Sequence, residues 1–312
     1  MSSSNVAAKV SSWPPLDYEE WKDTQSTLHM WTQIVGKIRL AQTLWTNHSW
    51  HVTLYVTARG LTTSPIPYGA RTFEIVFDFL DHELRIQTGE GAVESLQLAP
   101  RTVADFYHEL FGKLRALGLD ISIRTLPCEI LDAIPFELDR RRGTYDAEQA
   151  TRFWQALVQA DRVLKQFRSR FVGKASPVHF FWGGFDLAVT RFSGRRAPPH
   201  PGGVPNLPDW VARDAYSHEV SSCGFWPGGE ALPQAVFYAY AYPEPEGFKT
   251  ASVRPAAAGY NTDLREFLLA YDDVRRASSP DATLLEFLQS TYEAAADGAA
   301  WDRPALERPS ER

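Results

Sequence analysis

The chain has 312 residues, 44% of them hydrophobic and 22% charged, which allows a full core without disulfide or metal staples and excludes a disordered polymer. Its net charge of −6 excludes a protein whose main work is gripping a phosphate backbone, because that affinity comes from clustered Lys and Arg; no nucleic-acid partner is expected. Only two cysteines occur, Cys128 and Cys223, with no CxxC pairing. Neither a zinc ribbon nor a disulfide framework is indicated, and a reducing compartment fits.

The first twelve residues are polar and are expected to be mobile; they lack the apolar run of a signal peptide. No later stretch approaches the roughly 18 apolar residues of a membrane span, so no membrane association and a cytoplasmic location are expected. Trp31, Ile34, Ile38, Ala41 and Trp45 recur at helical spacing, with Gln33 and Lys37 turned away from that face and Gly36 as a weak point. His29 reads as a half-buried helix histidine. Val52, Leu54 and Val56 then alternate with Thr53, Tyr55 and Thr57 as in a strand. His48 and His51 precede it, and a His-x-x-His spacing converges only on a helix, so a metal motif is not indicated.

Residues 72–91 read as a hairpin with His82 solvated at its turn, and 94–98 as a further strand. Thr102 caps a helix whose apolar face runs from Val103 to Leu117 and stops at Gly118. Ile121 to Arg124 reads as another strand. Turn formers and the run Asp139, Arg140, Arg141, Arg142 suggest a solvated linker, which places a boundary between a first half, 13–143, and a second half, 144–300.

A long helix is expected from Asp146 to about Phe171. After it, 178–182 and 185–192 flank Gly183-Gly184 as a β-hairpin. Alternation puts Asp186, Ala188, Thr190 and Phe192 on one face and Phe185, Leu187, Val189 and Arg191 on the other. His179 and Phe181 likewise share a face. Asp186 reads either as a pocket carboxylate or, being beside the turn, as a residue at an exposed end. The proline- and glycine-rich segment 197–210 excludes regular structure and holds His200 between prolines, where little ordering is needed to present its ring.

His218, Glu219 and Cys223 follow, with Cys223 read as a core thiol. A strand, 236–242, carries Tyr238, Tyr240 and Tyr242 on one face, read as the outside of a sheet. A strand near 267–271 and a helix after Pro280 complete the second half, and the tail 301–312 is expected to fray. The order helix, strands, helix recurs in both halves and hints at duplication. The fold class is therefore α+β, mainly antiparallel sheets with long packing helices.

No GxGxxG, P-loop, HExxH or GxSxG signature is present, so dinucleotide, nucleotide-phosphate, zincin and common hydrolase mechanisms lack their parts. What remains is a chain rich in rings, with ten Trp, eighteen Phe and twelve Tyr. The runs TLHMWTQIVGKIRLAQT, NHSWHVTLYVTARGLTTSPIPYG, SPVHFFWGGFDLAVTRFSGRRAPPHPGG, YSHEVSSCGFWPGG and FLQSTYEAAA together resemble a bacterial family known as domain of unknown function 5996, over roughly Trp13 to Trp301. The resemblance implies one full-length unit and supplies no activity or cofactor.

The residues themselves point to a small-molecule enzyme with a pocket between the halves. His179, His218 and Glu219 would supply acid–base groups; Arg191, Arg195, His200, Trp182 and Tyr240 would bind a polar or anionic substrate. His179, His200 and His218 form the weak alternative of a metal site. The competing expectation is a non-catalytic ligand-binding or assembly protein.

Overall fold

A computed structural model describes residues 13–141 and 143–309; the expectation for residues 1–12, and Arg142 of the charged run, lie outside them. The described chain is α+β, with seven α-helices and two six-stranded antiparallel sheets. The first helix, α1 (Tyr18–Gln42), begins well before Trp31 because Asp17 accepts a hydrogen bond from the Glu19 amide and caps it. The first sheet contains β1 (Tyr55–Val56), β2 (Gly60–Thr62), β3 (Ile66–Tyr68), β4 (Arg71–Asp78), β5 (Glu83–Thr88) and β6 (Val93–Gln97). Its order is β1-β2-β4-β5-β6, with β3 also on β4. Then comes α2 (Val103–Ala116), capped by Thr102 as its sequence requires.

Residues 121–124 form no strand; they run as irregular chain toward Cys128, whose backbone is held by a side chain of α1 rather than by a sheet. His82 is not free in solvent either, since its Nδ1 bonds the Tyr145 hydroxyl at 2.8 Å. In the charged run Asp139 is buried and holds Arg141, while Arg140 and Arg141 are themselves exposed.

The helix α3 (Ala147–Ser169) leads into the second sheet. That sheet comprises β7 (His179–Phe181), β8 (Asp186–Arg196), β9 (His218–Trp226), β10 (Val236–Tyr242), β11 (Gly259–Asn261) and β12 (Glu266–Ala270), in the order β11-β12-β10-β9-β8-β7. A short α4 (Asp209–Ala215) lies in the loop between β8 and β9, and α5 (Tyr271–Arg276), α6 (Pro280–Gly298) and α7 (Arg303–Leu306) end the chain. From Trp301 to Arg308 the backbone is tied down, with Val172 and Arg308 amides donating to Leu306 and Arg170 carbonyls, and residues 310–312 lie outside the described chain. Main-chain bonds of this kind leave no side-chain pattern to read.

Among the described residues the two sheets are joined by one antiparallel bridge, in which Leu54 and Phe180 exchange hydrogen bonds of 2.9 Å, beside the contact of Tyr55 with His179. One hydrophobic core spans both. Trp31 stacks on Phe106 at 4.6 Å, Trp21 stacks on Phe153 at 4.8 Å, and Phe153 stacks on Phe185 at 5.2 Å. The second sheet turns Leu187, Val189, Phe225, Phe237 and Leu269 toward the core, with α3 and α6 packed on it. Its other face is left for a cavity.

Gly36 proves to be a contact point rather than a weak point in α1. A Cβ there would sit 2.2 Å from the Trp182 indole nitrogen, whose own hydrogen bond runs to the Val52 carbonyl at 2.7 Å. Gly36→Ala should therefore cost about 1–3 kcal/mol of stability through overpacking, despite the better helix propensity of alanine. Urea unfolding checks this; a stabilised variant would show that the indole can move.

Candidate functional site

The free face of the second sheet is the one that alternation assigns to Asp186, Ala188, Thr190 and Phe192. These residues, with Val220 and Ser222 of β9 and Tyr238 and Tyr240 of β10, form one wall of a cavity of about 680 Å³. Lys37 and Leu40 of α1, Trp182, and the Cys128-Glu129 loop form another. Trp45 and Trp210, both exposed and 4.5 Å apart, stand with Trp50 around it. The volume suits a small organic molecule, and the lining is mostly apolar.

One end of this cavity is polar. Glu129, Gly184, Asp186, Tyr216, Tyr238 and Tyr240 also line an adjoining basin of about 740 Å³ that contains His200, Glu244, Arg265 and Glu266. Glu129 and Asp186 meet over the Gly183-Gly184 turn. A Cβ on Gly184 would lie 2.9 Å from an Asp186 oxygen and 3.7 Å from a Glu129 oxygen, and one on Gly183 would collide with Glu129 at 1.9 Å. The glycine pair thus serves the approach of two carboxylates as well as the turn.

Glu129 is open to the cavity yet enclosed by protein, and loss of bulk water pushes its carboxyl up to about 7, helped by the charge of Asp186. Asp186 is likewise pushed up to about 6 by desolvation, although the Tyr238 hydroxyl donates a hydrogen bond to it and opposes the rise. Glu266 reaches about 7 through desolvation and the same Asp186 charge. Glu129 and Phe185, beside the pair, both hold left-handed backbone at φ 63° and 58°, a conformation that non-glycine residues keep only where surrounding structure enforces it.

Neighbouring elements hold these groups in place. On α1, His29, Gln33 and Lys37 are four residues apart and share a stripe. Gln33 donates to the Cys128 carbonyl at 2.8 Å and accepts from its amide at 3.0 Å, which fixes the loop carrying Glu129. His29 bonds the Gly183 carbonyl at 2.7 Å, and burial lowers its pKa to about 4, so the ring is neutral and Nε2 carries the donated proton. Gln33 and Lys37 are therefore buried at the site wall, not turned to solvent. On the sheet, Gly224 pairs with both Ala188 and Tyr238, and a Cβ there would stand 2.6 Å from the Tyr238 hydroxyl. Its missing side chain lets the phenol cross β9 to reach Asp186.

Three of the eight residues expected at a site line these cavities. Trp182 belongs to the apolar wall, Tyr240 bonds the Tyr216 hydroxyl at 2.8 Å, and His200 stacks on Tyr216 at 4.7 Å with Nδ1 accepting from the Gly202 amide. The tyrosine face of β10 consequently faces the cavities and not the outside. Of the two readings of Asp186, the exposed end is not what is found, because Glu129 and the tyrosines cover the turn.

The other five lie elsewhere. Arg191 is on the helix face of the sheet, buried against Phe167, Phe171 and Tyr292. His179 is packed among Trp50, Tyr55 and Phe181. Arg195 and Glu219 pair at 2.7 Å and tie β8 and β9 to the end of α6 through the Ala299 carbonyl. His218 bonds Ser217 at 3.1 Å. Among the described residues no group of three or more His, Cys, Asp or Glu side chains is arranged to hold a metal ion, so His179, His200 and His218 do not form one. Cys128 and Cys223 are free and buried, and burial pushes Cys223 up to about 12. No helix among the described residues is long and apolar enough to cross a membrane.

Glu129, Glu266, Tyr216 and Lys37 carry no motif that would single them out. Gly224, interrupting a strand opposite Tyr238, is the one local signal of a close approach. In comparisons with known proteins, residues 13–308 match the model of a family described as a family of unknown function (DUF5996). No curated protein and no solved structure matches the chain.

Proposed function

The chain belongs to DUF5996, whose description carries no activity, and on the geometry alone we propose an enzyme performing acid–base chemistry on a small, mainly apolar molecule with a polar end. The observation that carries this reading is the convergence of Glu129 and Asp186, with the Tyr238 phenol, at the polar end of an otherwise apolar, ligand-sized cavity. Carboxyl groups pushed to about 6 and 7 exchange protons near neutral pH, where general acid–base catalysis is most effective. We place the site where residues from the proposed halves 13–143 and 144–300 meet, since Lys37 and Glu129 come from one and Asp186 and Tyr238 from the other.

The apolar walls would take the body of the substrate and the carboxyl–phenol end its reacting group. In this reading Asp186 is the hub, because its charge raises both Glu129 and Glu266. Asp186→Asn should therefore lower both remaining carboxyl groups toward the ordinary range, as read by carbon-detected NMR titration. The mainly apolar lining also supports a second reading, a non-catalytic carrier of an apolar molecule.

One experiment separates them. Wild type and Asp186→Asn are incubated with the small-molecule fraction of a cell extract and compared by mass spectrometry, alongside tryptophan-fluorescence titration with 2-phenylethylamine and 2-phenylethanol. The enzyme reading expects a compound consumed by wild type and spared by the folded variant. It also expects amine affinity to rise roughly tenfold from pH 5 to 8 as the carboxyls ionise, with the alcohol unaffected. Equal turnover by both proteins would remove Asp186 from the chemistry; amine and alcohol both failing to bind would remove the cavity.

A further inference from the structure

The stripe on α1 that builds the site is satisfied at two of its three positions. His29 and Gln33 each bond backbone of the turn or loop they hold. Lys37, one turn further, is only 7% exposed, lines the 680 Å³ cavity, and forms no hydrogen bond or ion pair with a described residue. Its nearest electronic partner is the Trp182 ring, with the ammonium nitrogen 5.9 Å from the centroid. Every other described lysine is more exposed, and Lys22, Lys113 and Lys165 have carboxylate partners.

A lone ammonium in an apolar wall is costly unless a bound molecule meets it or it sheds its proton. We propose that Lys37 is a nucleophilic amine that forms a Schiff base with a carbonyl compound, an aldehyde or ketone with an apolar body, bound in this cavity. The proposal rests on the cavity being the ligand site. Burial lowers the lysine pKa, with the nearby Arg124 charge acting in the same direction and Cys128 against it, which favours the free amine that attack requires.

The step balances without a further reactant. The Lys37 nitrogen lone pair attacks the carbonyl carbon, and the C=O π electrons move to oxygen, which takes up a proton. The resulting carbinolamine loses that oxygen as water together with the amine protons, leaving a C=N bond. Glu129 and Asp186, on the wall of the same cavity, are groups able to give and take the protons that this exchange moves.

The test uses the full chain with cinnamaldehyde and sodium cyanoborohydride, followed by intact mass measurement and peptide mapping. One reduced adduct on Lys37 is expected, formed at least roughly tenfold faster than on Lys22 or Lys165, absent in Lys37→Arg and Lys37→Met, and suppressed in wild type by excess cinnamyl alcohol. The alcohol competition stands even where a variant fails to fold. Labelling confined to surface lysines, while cinnamyl alcohol still perturbs tryptophan fluorescence, would overturn the nucleophile and leave the cavity standing. No response to either compound would overturn the cavity and the proposal together.

Discussion

Arg191→Ala should lose about 3–5 kcal/mol of unfolding free energy, while Arg191→Met should lose much less. The guanidinium is 1% exposed and lies 3.5 Å from the Phe167 ring centroid and 4.3 Å from that of Tyr292, with a hydrogen bond to the Phe167 carbonyl. Among the described residues no carboxylate pairs with it, and its Nε has no hydrogen-bond partner. Desolvation accordingly lowers its pKa to about 10. Alanine would empty a large volume between β8, α3 and α6. Methionine fills most of that volume and removes a poorly compensated charge, which offsets the lost cation–π contacts. Urea unfolding of the two variants separates volume from charge. An equal loss in both would show that the charge itself holds the helices. Because Arg191 faces away from the cavities, phenylethanol binding should be unchanged in the methionine variant, whereas a substrate-binding arginine would lose it.

The second large effect concerns acid. His179 is 1% exposed, its Nδ1 has no hydrogen-bond partner among the described residues, and its Nε2 lies 3.4 Å from the Tyr55 hydroxyl. Desolvation, with Arg39 and Arg168 nearby, depresses its pKa to about 3. The unfolded chain takes up this proton near pH 6.5 and the folded chain does not, so the stability it contributes is present above about pH 6.5 and is lost as pH falls toward 3. Asp186, Glu129 and Glu266 act oppositely. Their folded pKa values lie above the unfolded ones, so folding gains as pH falls from about 7 toward 4. The wild-type profile sums these opposing trends, and the diagnostic quantity is the difference between variants. His179→Phe should gain about 2 kcal/mol relative to wild type between pH 7.5 and 5, from one and a half units below the unfolded pKa. Urea unfolding at both values measures it. A native-state His179 resonance titrating near pH 6.5 would contradict it and return this residue to the list of acid–base candidates.

In the sequence both residues carry the same signal, a charged or titratable side chain in an apolar strand pattern. Alternation correctly separated the faces of β8, with Asp186, Ala188, Thr190 and Phe192 on one and Leu187, Val189 and Arg191 on the other. It could not say which face would meet helices and which a cavity. That depended on α3 and α6 packing beneath the sheet and on α1, the Glu129 loop and the proline-rich segment closing over it.

Only part of the segment from Ser176 to Pro205 belongs to the site. Its hairpin, its glycine turn, the Trp182 wall and His200 remain, while the arginines and His179 move to the core and the sheet edge. Local spacing by itself determined the α+β class, the cap of α2, the β7–β8 hairpin and the sharing of faces, because period and capping act over a few residues. Tertiary structure alone decided the site. Glu129 and Asp186 lie on different elements, meet over Gly183-Gly184, and owe their raised pKa values first to water excluded by segments remote in sequence. Desolvation belongs to an enclosure and not to a residue, and for that reason no local pattern could announce it.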